Sequence, residues 1–263
     1  MNCSPRPVTV ITCAVGALAL AAPAVAAANA GQAPPAPPKF AKHKVIAKGL
    51  DNPRQLSLTA SGNLLVAQAG HGSYKSANCV GEGDEAQCVG TSGKVTVVKP
   101  KKRWSPMRNL LSAAGPDGTF AVGSDGASKR RHGAYYAIMT YAPPDLIPEG
   151  LPGKQAGKLI AKKPGGKRHV VADIAGYETA HDPDGEGIDS NPYSVLALRK
   201  NVLVADAAGD TIYRVRRGKI RVFHKMKEYG KKVDAVPTTL AKDPRTGNIL
   251  VGELHSEIPG KAK

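Results

Sequence analysis

Three segments of this sequence repeat one another, and no other feature constrains the fold as tightly. The first runs from Asn52-Pro53-Arg54-Gln55-Leu56 to Asn63-Leu64-Leu65-Val66-Ala67-Gln68. The second runs from Asn191-Pro192-Tyr193-Ser194-Val195 to Asn201-Val202-Leu203-Val204-Ala205-Asp206, and the third from Val236-Pro237-Thr238-Thr239-Leu240 to Asn248-Ile249-Leu250-Val251-Gly252-Glu253. Each reads as a short strand after Pro, a polar turn, and a second, β-branched strand that closes on a carboxylate or amide. Pro fits a strand only at its first residue or on an edge, where no ladder N–H is lost. Asn tolerates positive φ and so permits a tight hairpin.

The second unit continues through Thr211-Ile212-Tyr213-Arg214-Val215, the turn Arg217-Gly218, and Ile220-Arg221-Val222-Phe223, which makes four strands in one unit. Pro192 and Pro237 stand one period apart and Pro53 and Pro192 about three, and a period of about 40–50 residues with four strands is that of a propeller blade. The expected fold is therefore all-β, a β-propeller of four-stranded blades. Strands of the degenerate middle units are expected at 95–98, 135–141, 158–161 and 169–172. The Gly-, Pro- and Asp-rich insertions at 70–93 and 142–157 are where binding loops would sit.

The first thirty residues carry one basic residue, Arg6, an apolar run over 8–22, and a tail of small residues, which is the layout of a secretory signal. Two cleavage points fit, Ala24-Val25-Ala26 and Ala28-Asn29-Ala30. The second is favoured because it leaves a Pro-rich lead at 31–42 before the propeller domain at 43–263. An uncleaved anchor is the alternative, but the apolar run is shorter than the roughly 20 residues a spanning helix needs, and Pro23 interrupts its end. No later segment is expected to span a bilayer. The expected location is extracellular, and the cysteines agree with it. Cys3 and Cys13 fall in the leader, which leaves Cys79 and Cys88 to form a disulfide. Closing so small a loop would remove about 2–3 kcal/mol of unfolded-state entropy. The spacing is not CxxC and no His lies between the thiols, which argues against zinc.

The net charge is +16, and its clusters, Lys101-Lys102-Arg103, Lys129-Arg130-Arg131, Lys162-Lys163 and the stretch 214–221, are spread along the chain. Solvated strand edges are the plain explanation. Outside a cell, the sharper one is attraction to an anionic cell-envelope polymer or acidic ligand. Nucleic acid is disfavoured, because one Trp, three Phe and eight Tyr give few stacking platforms and export removes the substrate.

At Gly49-Leu50-Asp51-Asn52-Pro53-Arg54, Asp189-Ser190-Asn191-Pro192-Tyr193 and Val202-Leu203-Val204-Ala205-Asp206 the chain resembles the ScyD/ScyE family of exported bacterial proteins. It is similar there, more loosely, to NHL-type repeats, and the resemblance implies NHL-like blades, six of them when the propeller is complete. The two-Cys loop before Thr91-Ser92-Gly93-Lys94-Val95, the stretch Val171-Ala172-Asp173-Ile174-Ala175, and Val236-Pro237-Thr238-Thr239 closing on Val251-Gly252-Glu253 also look like this family. The resemblance spans 49–253 and implies a secreted propeller, not a reaction. The segment Ser128-Lys129-Arg130-Arg131-His132 is more basic than the family pattern. The resemblance also implies further blade sequence beyond Lys263. The expected assembly is therefore an open or partial ring, in which the segment His43-Lys44-Val45-Ile46-Ala47 is a lone strand and the last unit stops near Ile258-Pro259-Gly260.

Gln68, Asp206 and Glu253 hold the same place in three repeats and are the axis-facing candidates. In propeller lactonases a comparable acid joins an Asn just after the repeat's Pro in binding a metal. Here those positions are Arg54, Tyr193 and Thr238, which counts against such a site. Polar strand ends that satisfy turn backbone are the simpler reading. In His181-Asp182-Pro183-Asp184-Gly185-Glu186-Gly187, the residues Asp182, Asp184, Glu186 and Asp189 resemble the opening of a Ca²⁺ loop. Tyr193 stands where an EF-hand needs its bidentate Glu and no flanking helix is evident, so a plain acidic turn stays open. There is no GxSxG elbow, HExxH or P-loop. The function expected is a non-catalytic binding or scaffold propeller for an anionic partner. The alternative is an exported hydrolase or lyase with a metal at the central axis.

Overall fold

The computed structural model of the chain describes residues 44–83, 86–227 and 235–255. The leader, the Pro-rich lead, His43 and Ile258-Pro259-Gly260 lie outside the described residues. The rest is all-β, built from antiparallel meanders. The first sheet orders β1 (Pro53–Leu58), β2 (Leu64–Gln68), β4 (Gln87–Lys99) and β5 (Lys102–Ala114), with a two-residue strand β3 (Cys79–Val80) paired to the start of β4. The second holds β6 (Ser124–Lys129), β7 (Tyr135–Met139), β8 (Lys158–Lys162) and β9 (Arg168–Asp173), and the third β10 (Pro192–Ala197), β11 (Val202–Asp206), β12 (Thr211–Arg216) and β13 (Lys219–Lys225). A fourth pairs β14 (Ala235–Lys242) with β15 (Ile249–His255). One eight-residue helix, α1 (Ile174–His181), links the second sheet to the third.

The repeat seen in the sequence is a repeat of register. Pro53, Pro192 and Pro237 lie opposite Gln68, Asp206 and Glu253, and each first strand then carries the same bulge, which absorbs the missing ladder donor of Pro. A fourth copy went unrecognised in the sequence. Ser124 lies opposite Met139, with the identical bulge following. Its Pro is a Ser, and the next residues, Asp125-Gly126-Ala127, carry no β-branched side chain by which a strand would be read. Gly126 is small for a reason, since a Cβ there would lie 2.9 Å from the Tyr193 carbonyl on the neighbouring first strand.

The first strands stand side by side and run in the same sense. Ser57 Oγ donates to the Ala127 carbonyl, the Ala197 N–H donates to Ser128 Oγ, and the Leu240 N–H donates to Ser194 Oγ. Gln55 Nε2 reaches from β1 to the Thr238 carbonyl on β14. Three apolar layers fill the spaces between successive sheets. Leu65, Val95, Met107 and Leu110 meet Ala137, Met139 and Ile160; Ile138 and Leu159 meet Val195, Val204 and Tyr213; Leu203 and Ile212 meet Leu240 and Val251. The second strands of the two middle sheets, β7 and β11, are thus covered on both faces and are buried along their whole length.

The expected strands at 95–98, 135–141, 158–161 and 169–172 fall within β4, β7, β8 and β9. Two expectations are corrected. Residues 44–47 form no strand, and Val45 and Ile46 are exposed. A helix does flank the acidic loop: α1 starts where Asp173 accepts the Gly176 N–H and ends at Asp182, just before Pro183. Cys79 and Cys88 are bonded to each other at opposed positions of the β3–β4 ladder. Among the described residues, no helix is long and apolar enough to cross a membrane.

Candidate functional site

A meander sends successive connections alternately to the two ends of its sheet. Because the first strands run in the same sense, the four sheets share these ends; Arg130 Nε, in the β6–β7 turn, donates to the Leu198 carbonyl in the β10–β11 turn at 3.0 Å. The seven turns at this end span 59–63, 100–101, 130–134, 163–167, 198–201, 217–218 and 243–248. They carry Lys101, Arg130, Arg131, Lys163, Lys167, Arg199, Lys200, Arg217 and Arg245, and Asp243 is their sole acid. Asp243 is committed locally, its carboxylate accepting from the Arg245 N–H and from the Thr246 hydroxyl. The described connections at the opposite end instead carry Glu82, Asp117, Asp145, Glu149 and the acids that follow α1.

The basic end is densest on the third sheet. Arg214 faces Arg221 and Arg216 faces Lys219 across the β12–β13 ladder, so like charges stand directly opposite one another. Such pairs are destabilising. With Arg217 and Asn201 they line a groove of about 530 Å³. Arg214 lies 5.9 Å from the centre of the Phe223 ring, which orients it. Three basic residues of these turns, Lys101 (φ 63°), His132 (φ 53°) and Arg217 (φ 53°), occupy left-handed backbone that favours Gly or Asn. The sequence showed these clusters but not that they share an end.

The first strands hold a different arrangement. Arg54 and Asp125 occupy the bulged position of their strands, with Arg54 Nε 3.7 Å from Asp125 Oδ1. Thr140 Oγ1 donates to the other carboxylate oxygen. Burial pushes the Asp125 carboxyl up to about 6, opposed by the Thr140 hydroxyl and by Arg54. The position that an Asn would hold in a lactonase-like site is thus met by a guanidinium and a carboxyl facing each other.

Gln68 and Asp206 are buried and tie down the loop that leads into the first strand. Gln68 Oε1 accepts the Asp51 N–H at 2.7 Å, and its Nε2 donates to Thr96 Oγ1 at 2.5 Å. Asp206 accepts from Ser190 Oγ at 2.7 Å and from the Asn191 N–H at 2.6 Å, and burial pushes its carboxyl up to about 6. Both carboxylate oxygens of Glu253 are buried without a hydrogen-bond partner among the described residues.

Of the four residues expected in the Ca²⁺ loop, the structure brings Asp182 and Asp184 together with a third acid, Glu178, their carboxylate oxygens all within 4.8 Å of one another. Glu186 and Asp189 lie outside this cluster, although the Asp189 carbonyl passes 3.2 Å from where a Cβ on Gly209 would sit. Glu178 is fully buried; one of its oxygens accepts from the Tyr213 hydroxyl and the other has no partner among the described residues. Burial, and then the neighbouring acids Asp206, Asp184 and Asp182, push its carboxyl up to about 7 against the pull of Tyr213. Burial raises Asp184 as well. Glu178 was missed in the sequence, though it precedes Asp182 by one helical turn and so shares its face. This is the one grouping of three potential metal ligands among the described residues, and it sits on the connection after α1, away from the first strands. Neither a family model nor any curated protein matches the chain.

Proposed function

We propose that this chain is an exported, ScyD/ScyE-like β-propeller that holds a linear anionic polymer of the cell envelope against the turn end of its hairpins, without catalysis. The observation that carries the reading is the one-sided charge: nine basic residues against Asp243 in seven turns that the meander gathers at one end. Edge protection would ask for cations along the outer strands. It does not ask for a turn end almost without acids, or for basic side chains in left-handed turn positions. Those choices cost stability and raise the local potential, which draws in and retains a polyanion. The secretory leader read from the sequence and the Cys79–Cys88 bond both suit an oxidising, extracellular setting.

The test is equilibrium binding of purified protein to immobilised polyphosphate across a salt series. Binding is expected to weaken steeply with salt, and the double variant Arg216→Glu/Arg221→Glu is expected to bind more weakly and with a shallower salt slope. Binding that ignores salt, or a variant that binds like the parent, defeats the reading.

A further inference from the structure

We infer that Glu178, Asp182 and Asp184 form a binding site for a hard divalent cation of calcium type, which clamps the connection after α1 to the end of the third sheet. This site is independent of the basic turn end and lies at the opposite end of the sheets.

Two separate observations point to it. One is the convergence of three carboxylates within 4.8 Å, one on the helix, one at its left-handed C-cap and one on the loop. Oxygen donors of this charge suit Ca²⁺, which tolerates irregular geometry and mixed carboxylate and carbonyl ligands. The other is the state of Glu178, wholly buried with one carboxylate oxygen lacking any hydrogen-bond partner among the described residues. A buried carboxylate without a partner is costly, and a plain acidic turn gives no reason for it.

The surroundings hold the site open. Asp182 Oδ1 accepts the N–H groups of Gly185 and Gly187, and Asp184 Oδ1 accepts that of Glu186, which fixes both side chains on the loop. Gly209, in the β11–β12 connection, passes so close that a Cβ would lie 3.0 Å from the Glu178 carboxyl carbon. None of the ion pairs among the described residues involves these three acids. Their mutual repulsion therefore meets no side-chain cation among the described residues.

The test uses the whole protein after EDTA treatment and dialysis, titrated with CaCl₂ at pH 7.5. A dissociation constant on the order of 10⁻⁴ M is expected, as for other extracellular calcium modules. At 10 mM CaCl₂ the melting temperature is expected to rise by about 5–10 °C and to fall back on adding EDTA. Tyr213 donates to Glu178 and packs edge-on against Tyr177 at 5.5 Å, so the near-UV tyrosine circular dichroism is expected to change in step with binding. Glu178→Gln tests the buried ligand, and Asp182→Asn/Asp184→Asn, on the partly exposed loop, covers the case where the first variant does not fold. Both are expected to lose the calcium response, while Asp117→Asn, in another connection, keeps it. Calcium that produces no heat and no thermal shift would overturn the inference. So would a shift reproduced by NaCl at equal ionic strength, or one that survives in the Asp182→Asn/Asp184→Asn variant.

Discussion

If the β12–β13 ladder serves binding rather than folding, stability and affinity must respond in opposite directions when its charges are reversed. Lys219→Glu/Arg221→Glu turns both opposed pairs, Arg216 with Lys219 and Arg214 with Arg221, from repulsive to attractive. Side-chain charges about 6 Å apart in water interact by about 0.7 kcal/mol. Each reversal removes that repulsion and installs an attraction of similar size, and screening at physiological salt reduces the sum by about half. The double variant should therefore gain about 1–1.5 kcal/mol, which at roughly 2–4 °C per kcal/mol for a chain of this size is a rise of about 2–6 °C in melting temperature. Against polyphosphate the same variant should lose affinity. The slope of log K on log salt should become shallower by about 1.5, since two cations no longer release counterions. Calorimetry and a salt series on parent and variant measure both quantities. A variant that melts lower would show that these cations are held by partners rather than repelling one another. One that melts higher yet binds equally would show that the ladder does not meet the polyanion.

Other consequences are as specific. Because the Asp125 carboxyl lies at about 6 in the fold against 3.8 unfolded, its contribution is complete below about pH 4 and is lost as pH rises through about 6. The loss is about 3 kcal/mol. Asp125→Asn should flatten the fall in melting temperature between those pH values, and an unchanged profile would refute the assignment. Asp206→Ala should destabilise by about 3 kcal/mol in urea, because the Ser190 hydroxyl and the Asn191 N–H lose their acceptor, whereas Asp206→Asn should lose markedly less. Cys79→Ser/Cys88→Ser should lose about 2–3 kcal/mol, the value for a short closed loop, with hydrogen-exchange protection falling around β3 and the start of β4 rather than throughout. Gly72→Ala should be the most damaging small change, since its Cβ would sit 1.9 Å from the Cys88 carbonyl on backbone already at φ 61°. A folded variant with parental stability would contradict the packing of that loop.

The repeating unit was legible because Pro, Asn and the closing acid or amide mark positions whose backbone leaves little choice. Where the physics is carried by smallness, the sequence is silent. Gly126 keeps β6 clear of Tyr193 and Gln55, and nothing in the run Asp125-Gly126-Ala127 announces a strand. Strand β5 was hidden by Pro106, which lies where its register against β4 is irregular. Helix α1 carried its own signals, Asp173 as N-cap and Pro183 beyond its end, but it is short and follows a strand directly, and no element was expected there. Missing that helix hid Glu178, since the helical turn is what sets Glu178 beside Asp182. Of the four acids expected in a Ca²⁺ loop, the structure therefore brings two together, Asp182 and Asp184, beside a Glu178 that the expectation did not include.

The one-sided charge has a different origin. Along the sequence the basic clusters look scattered, separated by acidic stretches such as Asp182-Pro183-Asp184-Gly185-Glu186. A meander sorts what the sequence interleaves, because successive connections alternate between the two ends. Basic turns that alternate with acidic connections thus accumulate into one positive and one negative end, provided each sheet begins its first strand in the same sense. That condition is met by the bonds from Ser57 to Ala127, Ala197 to Ser128 and Leu240 to Ser194. Exchanging a basic turn for an acidic connection would leave the composition and the net charge of +16 untouched and still erase the polarity. Net charge alone therefore cannot locate a binding face on such a fold, whereas the phase of the charge relative to the hairpins can.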